Sequence, residues 1–356
     1  MKKILNYNFH DIVRMKVVIN NYNSFLSKTL EQKFAHYLVD EDIKEPEINV
    51  QIGPFTPDSK GAFILDEYYH IRENYIFCRH RYKIARWKVE IAGFGNYKTT
   101  VRIESNIFGF WVFPGGTIYS ILMFKLASSG YAMLHASGVS RAGKAYIFTG
   151  RSGTGKTITV FNLLKKGFDY LGDDTTILGG HQTLSFIKPL NIRFTYDVGS
   201  ILGFSFGKRE KIIIFIKKIL RIASFGYINL FTKVNVADFF KDRLGSKRPL
   251  EKLFFMIQGD DFRIRESRDK KTLAKQMRIN TEFESDDLSG YLSAYTHVFP
   301  RSGLSHFWND MEEIIRENIE DRLCYFVDMP KRYSLENFDL LLERINGQES
   351  RQSQYT

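Results

Sequence analysis

An eight-residue segment at 150–157 carries the clearest chemical signal in this 356-residue chain. It reads Gly-Arg-Ser-Gly-Thr-Gly-Lys-Thr and fits the pattern G-x-x-x-x-G-K-[ST] at every fixed position. Glycines at this spacing let successive backbone N–H groups converge on phosphate oxygens, and a following helix adds partial positive charge at its N-terminus. We expect Lys156 to reach the β and γ oxygens of ATP and the Thr157 hydroxyl to ligate Mg²⁺. The residues predicted to hold the nucleotide are Gly150, Ser152, Gly153, Thr154, Gly155, Lys156, Thr157 and Ile158.

Two adjacent acids follow the glycine-rich segment. Asp173 and Asp174 come directly after the apolar stretch 168–172, which we expect to be a strand beside the strand that precedes the phosphate loop. Both carboxylates would then emerge at a carboxyl end, where open α/β sheets bind ligands. One carboxylate can hold Mg²⁺ and the other can accept the proton of an attacking hydroxyl. The structural alternative is an acidic turn that ends a strand.

His135 lies in a short segment of small and apolar residues just before the loop strand. An imidazole there could act as a donor to phosphate or as a proton relay. The alternative is a histidine with satisfied hydrogen bonds in the core.

Hydrophobic periodicity predicts the elements that position these residues. Segments 132–139 and 145–149 read as strands joined by a turn at 141–143, and 157–166 reads as a helix stopped by Gly167. The first 115 residues read as β-rich. We therefore predict a mixed α/β chain with a β-rich region at 1–115, a phosphate-loop core at 116–346 and a flexible tail at 347–356. Predicted strands are 47–52, 86–91, 99–104, 184–189 and 323–327, and predicted helices are 24–39, 117–129, 270–277, 287–295, 310–318 and 335–345.

Composition excludes several classes of protein. A hydrophobic content of 44% against 26% charged residues is too apolar for a disordered chain. Two cysteines cannot form a disulfide framework, so we expect reduced, buried thiols and a cytoplasmic protein. The N-terminus carries no apolar export signal, and the longest apolar stretch, 212–231, is broken by basic residues, so no membrane span is expected.

The net charge of +11 is concentrated in residues 201–250, which hold 11 basic side chains against three acidic ones. This basic segment could face a peptide, a membrane surface or solvent. The sequence contains no zinc-finger, RNP-like or basic-zipper signature, so nucleic acid is not an expected partner. Within and near the basic segment, Arg193, Lys247 and Arg248 are candidates for binding an anionic group of the substrate.

Several motifs together resemble the HPr kinase/phosphorylase superfamily and its smaller serine-kinase-like relatives. They are the segment Leu-His-Ala-Ser-Gly-Val at 134–139, the loop at 150–157, Gly167 and the Leu-Gly-Asp-Asp segment at 171–174. The similarity is close over about 131–178, and it extends in weaker form to 46–54 and 247–253. The glycine-rich downstream signature of the bifunctional enzymes is absent from the sequence, so neither phosphorylase activity nor HPr as the acceptor is expected.

The resemblance implies a phosphate-loop kinase with the fold shared with phosphoenolpyruvate carboxykinases, which transfers phosphate from ATP to a serine hydroxyl. By position, Asp173 is then the base, Asp174 a Mg²⁺ ligand, and His135 and Lys156 catalytic residues near the phosphates. Neither the Asn-Lys-x-Asp motif of GTPases nor the hydrophobic strand ending in Asp-Glu of transporter and helicase ATPases is present.

Two other functions fit the same residues. The first is a kinase for a free amino acid or sugar, since the acceptor pocket decides the substrate. The second is a nucleotide-binding sensor or scaffold. The acceptor can therefore be a peptide, a protein or a small molecule with a hydroxyl, and a homo-oligomer is compatible with either function.

Overall fold

The computed structural model describes residues 2–20, 24–109, 116–192, 212, 215, 216, 219, 232–234, 240–331 and 334–347. Within these ranges it contains two mixed β-sheets, a two-stranded antiparallel sheet and seven α-helices. The predicted mixed α/β class is confirmed. Arg193, most of the basic segment and residues 348–356 lie outside these ranges.

The chain divides into two compact units. The first comprises Met1–Met133, Leu178–Gly180 and Ala274–Glu317, and the second comprises Leu134–Ile177, His181–Leu273 and Asn318–Thr356. The first unit therefore continues past the boundary expected near residue 115. The reason is that the helix following that point is apolar on nearly all sides and packs on strands of the first sheet.

The first unit is built on a nine-stranded sheet of order β3-β1-β2-β4-β9-β8-β7-β6-β5. Strand β4 pairs in parallel with β2 and β9, and the other neighbours run antiparallel. Alternation of buried and exposed side chains, as in β2 and β9, fixes which face packs inward. The strands are β1 Lys3–Phe9, β2 Val13–Ile19, β3 Leu38–Val39, β4 Ile48–Ile52, β5 Phe63–Leu65, β6 Tyr69–Arg72, β7 Tyr75–Tyr82, β8 Ala85–Ala92 and β9 Thr99–Ser105.

Helices α1 Ser24–Lys33, α2 Gly116–Ser128 and α5 Asp286–Val298 also belong to this unit. Helix α2 packs against β2, β4 and α5. The hydroxyls of Thr117 on α2 and Tyr291 on α5 are 2.7 Å apart within the buried interface. The expected helix at 24–39 is shorter than predicted, because the chain leaves the helix after Lys33 and reaches β3 at Leu38.

A second nine-stranded sheet carries the glycine-rich loop 150–157, with the order β10-β14-β15-β18-β12-β11-β13 and with β20, paired to β18, and β19, paired to β20, off this path. Strand β12 pairs in parallel with β18, which pairs in parallel with β20, while β11 is antiparallel to both β12 and β13. The strands after β9 are β10 Ala132–Leu134, β11 Ala136–Arg141, β12 Lys144–Gly150, β13 Asp169–Gly172, β14 Thr176–Gly179, β15 Gln182–Leu184, β16 Leu190–Ile192, β17 Thr232–Val234, β18 Lys247–Gly259, β19 Arg263–Glu266 and β20 Leu323–Pro330.

One neighbour relation differs from the prediction. Strand β13 does not lie beside the loop strand β12, because β11 lies between them. The β11–β12 hairpin occupies one edge of β12 and β18 occupies the other, so the returning chain pairs with the free edge of β11. Strand β18 is not among the predicted strands, although with 13 residues it is the longest strand of the described ranges.

The core of the second unit lies between this sheet and the helices α3 Lys156–Lys165 and α7 Leu335–Asn346. Aromatic rings of β12, β18 and β20 stack across the three parallel strands, with Phe148 and Phe254 at 5.1 Å and Phe254 and Tyr325 at 5.3 Å between ring centroids. The remaining helices of the described ranges are α4 Lys270–Glu282 and α6 Phe307–Ile319. None of these helices is long and apolar enough to cross a membrane. Both cysteines are buried free thiols, as predicted.

Candidate active site

The glycine-rich loop lies between the end of β12 and the start of α3, as predicted. Gly150 ends the strand with φ +142°, and a Cβ on it would lie 2.1 Å from the carbonyl oxygen of Met256 on β18. Gly155 precedes the helix with φ +94°, a left-handed conformation that glycine adopts at low cost. The first amides of an α-helix have no intrahelical acceptor, and the helix dipole places positive charge there. The start of α3 therefore offers backbone amides and partial positive charge to an anion.

Lys156 lies along its own loop. Its side chain is 5% exposed, and Nζ donates to the carbonyl oxygens of Gly150 at 2.6 Å and Arg151 at 3.0 Å. The same Nζ is 3.2 Å from Nε2 of His135. Charged phosphate oxygens are stronger acceptors than these carbonyls, because charge-assisted hydrogen bonds are about twice as strong as neutral ones.

His135 occupies the single residue between β10 and β11. Burial, reinforced by the positive charge of Lys156, lowers the pKa of His135 to about 4. The imidazole is therefore neutral at physiological pH, and Nε2 accepts the hydrogen bond from the Lys156 ammonium. The neutral histidine therefore positions the Lys156 ammonium by accepting its hydrogen bond.

A hydroxyl–carboxylate contact joins the loop helix to the end of β13. The Thr157 hydroxyl donates to Asp173, with Oγ1 3.0 Å from Oδ1 and 3.1 Å from Oδ2. Ser137 on β11 donates to the same Oδ1 at 2.5 Å. Burial and the neighbouring charge of Asp174 raise the pKa of Asp173 to about 6, against the opposing hydrogen bonds of Ser137 and Thr157.

Asp174 differs from its neighbour in exposure and in backbone conformation. Its side chain is exposed and its φ is +58°, so the chain turns sharply after β13. Asp173 is 4% exposed by contrast. Both acids lie at the carboxyl end of β13, as predicted, but only Asp173 contacts the loop helix in the hydrogen bonds described above.

The other residues predicted to bind the nucleotide lie in the loop or at the start of α3. Ser152 and Gly153 are exposed, and Thr154 is buried with its hydroxyl donating to the carbonyl oxygen of Arg151 at 2.9 Å. Ile158 is half-buried in the first turn of α3.

The predicted substrate residues Lys247 and Arg248 are not brought to the loop. They begin β18 and pair with β15. Because β18 runs parallel to β12 and Gly150 pairs with Met256, these two residues lie near the opposite end of the strand. Met256 is nine positions beyond Lys247 along the strand, about 30 Å at the usual rise per residue. Arg193 lies outside the described residues.

Sequence reasoning missed two side chains at this site. Ser137 follows His135 by two residues, and its position on β11 could have suggested a partner for a carboxylate. Lys188 lies after β15, and its Nζ donates to the Thr175 hydroxyl at 3.0 Å. Burial lowers the pKa of Lys188, and the charges of Asp174 and Asp173 oppose this effect. No local pattern around Lys188 pointed to the site.

The donor atoms present fit Mg²⁺ bound together with phosphate oxygens. Thr157 and Asp173 offer hard oxygen atoms within one hydrogen bond of each other at the end of the loop. No cluster of three or more His, Cys, Asp or Glu side chains suited to a metal occurs among the residues described. Magnesium usually keeps several waters and takes only one or two carboxylates plus substrate phosphates, so such a cluster is not required.

Neither known protein families nor curated proteins gave a match to this chain when compared with it.

Proposed function

We propose that this protein is a Mg²⁺- and ATP-dependent kinase that transfers the γ-phosphoryl group to a serine-type hydroxyl. The observation that carries the proposal is the contact from Thr157, on the phosphate loop, to the buried carboxylate of Asp173. A phosphate loop alone binds nucleotides, whereas a loop joined to a carboxylate pair has the parts that phosphoryl transfer needs.

The loop amides, the start of α3 and Lys156 are proposed to bind the triphosphate. Lys156 exchanges the carbonyl oxygens of Gly150 and Arg151 for phosphate oxygens when ATP binds. His135 stays beside the lysine as a neutral acceptor and limits where the ammonium can move.

Thr157 and Asp173 are the residues that would hold Mg²⁺. When bound, the ion would neutralise charge on the β and γ phosphate oxygens. The assignment of Asp173 to the metal reverses the roles expected from the sequence. Geometry supports this assignment, because both Asp173 oxygens already lie beside the hydroxyl of the predicted metal ligand Thr157.

Because Asp173 is assigned to the metal, Asp174 is the proposed proton acceptor. Its exposed carboxylate can meet an acceptor hydroxyl that approaches from solvent. In the proposed reaction the acceptor oxygen forms a bond to the γ-phosphorus, and the bond from that phosphorus to the bridging oxygen of ADP breaks. The hydroxyl proton passes to Asp174, and ADP leaves.

The resemblance over about 131–178 supports a serine of a peptide or protein as the acceptor. The test is transfer of label from γ-labelled ATP to serine-containing peptides, free serine and water, with wild type and Asp174→Asn side by side. The proposal expects acid-stable phosphoserine that requires Mg²⁺ and falls at least roughly 100-fold in the variant, in line with loss of a general base. Tight ATP binding without transfer to any acceptor would contradict it and favour a nucleotide sensor.

A further inference from the structure

We infer that Lys188 is a second cation of the active site, which binds the phosphoryl group while it is transferred. The inference rests on the proposed kinase function and adds a catalytic residue to it. No motif of the sequence marks Lys188, and its place is set by the fold.

The segment after β15 runs beside the end of β13. The amide of Phe186 donates to the carbonyl oxygen of Leu171 at 2.7 Å, and Gly172 and Phe186 form a parallel bridge. Two residues further along each chain are Asp174 and Lys188. The chain turns at Asp174, and the bond from Lys188 to Thr175 together with the interaction of its charge with Asp174 shows that the lysine lies beside this turn.

The ammonium of Lys188 is fixed beside this turn by the Thr175 hydroxyl, one residue beyond Asp174. Its charge acts on Asp173, Asp174 and the imidazole of His135. The charges of Lys156, on the loop, and of Lys188, after β15, both act on His135, so the two ammonium groups lie near the same side chain from different parts of the second unit.

Phosphoryl transfer requires groups that position the transferring phosphoryl group and stabilise its charge. Charge is spread over three equatorial oxygens of the transferring group, so catalysis consists mainly of positioning and electrostatic stabilisation. Lys156 is placed for oxygens on the nucleotide side. An ammonium has three N–H donors, so Lys188 can donate to a phosphoryl oxygen while it keeps its bond to Thr175.

The competing explanation is that Lys188 only balances the charge of the two carboxylates. A balancing lysine would stabilise the fold and affect bound ADP and a transition-state mimic equally. A lysine that binds the transferring group would affect the mimic far more than ADP.

The experiment compares the affinity for Mg·ADP with the affinity for Mg·ADP plus fluoroaluminate, which mimics the transferring phosphoryl group. The variants are Lys188→Met, Lys188→Arg and the control Lys252→Met. Lys252 is a buried lysine of the same unit, 6% exposed, whose Nζ donates to the carbonyl oxygens of Arg344 at 2.7 Å and Ile345 at 3.1 Å near the end of α7. The assay needs no knowledge of the acceptor.

For Lys188→Met we expect ADP affinity within about twofold of wild type and fluoroaluminate-complex affinity lower by roughly 100-fold, as found when one transition-state donor is removed. Lys188→Arg keeps the charge but not its position, so it should recover part of this loss. Lys252→Met should lower thermal stability and leave the ratio of the two affinities unchanged.

Equal affinities of Lys188→Met and wild type for the fluoroaluminate complex would overturn the inference. So would an equal loss for both ligands, which is the result for a purely structural lysine. If Lys188→Met does not fold, Lys188→Arg decides, because an unchanged ratio in that variant also overturns the inference. Wild type that binds neither ligand would instead overturn the proposed kinase function itself.

Discussion

Two adjacent carboxylates at the end of β13 are placed in different environments. Asp173 is buried against hydroxyls of Ser137 and Thr157, whereas Asp174 is exposed with a left-handed backbone. The difference arises in the turn that ends β13, where Asp174 has a left-handed backbone. Identical side chains can therefore perform different steps of one reaction.

The two carboxylates should respond differently to Mg²⁺. We expect Asp173→Asn to raise the Mg²⁺ concentration that gives half-maximal activity by at least about tenfold, because an amide is a weaker ligand than a carboxylate. Asp174→Asn should lower kcat by roughly 100-fold or more and leave the Mg²⁺ requirement unchanged. Magnesium titrations of initial rate measure both. The opposite pattern would restore the roles expected from the sequence.

Lys156 should dominate nucleotide affinity. Lys156→Ala removes a charge-assisted contact to phosphate worth about 1.5–3 kcal/mol, so the Kd for ATP should rise roughly 10- to 100-fold and turnover should stop. Isothermal titration calorimetry measures the affinity. The control is Lys166→Ala, an exposed lysine at the other end of α3. Equal ATP affinities of the two variants would contradict the assignment of the phosphate loop.

At the scale of elements, a short sequence pattern predicts a helix or strand correctly where the residues that determine it are neighbours along the chain. The strand, loop and helix around 144–165 and the C-terminal helix α7 follow from apolar periodicity and glycine positions, and their bounds match the prediction closely. The β18 strand was missed because it begins with Lys247, Arg248 and Pro249, which are unfavourable in most strands. Only its partners on both sides, β12 and β20, make this segment a central strand.

The same distinction applies to the site. The loop residues and both aspartates were predicted because each belongs to a contiguous motif. Lys188 was not, because its position depends on the pairing of Phe186 with β13 across the fold. Lys247 and Arg248 have side chains suited to an anionic group, but the strand direction of β18 places them near the opposite end from the loop.

We expect Gly150 not to tolerate a side chain, because β12 and β18 approach each other closely at this position. Gly150→Ala forces a Cβ to within 2.1 Å of the Met256 carbonyl oxygen, in addition to the strain of φ +142°. The control Gly167→Ala carries similar backbone strain, with φ +87° and no atom within 4 Å of its Cβ. Urea unfolding should show a loss for Gly150→Ala that exceeds the control by at least about 1 kcal/mol. Equal losses would mean that the close approach to Met256 costs nothing.

At the scale of the whole molecule, each unit has buried polar residues of its own. The site residues all belong to the second unit, while the first contains a buried carboxylate, Glu90, which is 2% exposed. Glu90 accepts hydrogen bonds from the Tyr75 hydroxyl at 2.9 Å, the Asp58 amide at 3.0 Å and Arg102 at 2.9 Å. This network, with no counterpart in any catalytic step proposed above, is interpreted as structural.

Glu90→Gln should therefore destabilise the first unit. Loss of charge from a buried, hydrogen-bonded carboxylate weakens three contacts, for a cost of about 1–3 kcal/mol. Glu104→Gln is the matched control. Glu104, like Glu90, accepts a hydrogen bond from a backbone amide and pairs with a basic side chain, here Lys88, but its side chain is 37% exposed. Thermal unfolding should show a larger loss of stability for Glu90→Gln. A loss no greater than that of the control would contradict the structural interpretation.

The most direct test of the central claim is transfer of γ-labelled phosphate by wild type, Lys156→Ala and Asp174→Asn in the presence and absence of Mg²⁺. The account predicts Mg²⁺-dependent appearance of label on a serine hydroxyl with wild type, and loss of that label with either variant. Label transfer by wild type at the level of the Lys156→Ala background would contradict it.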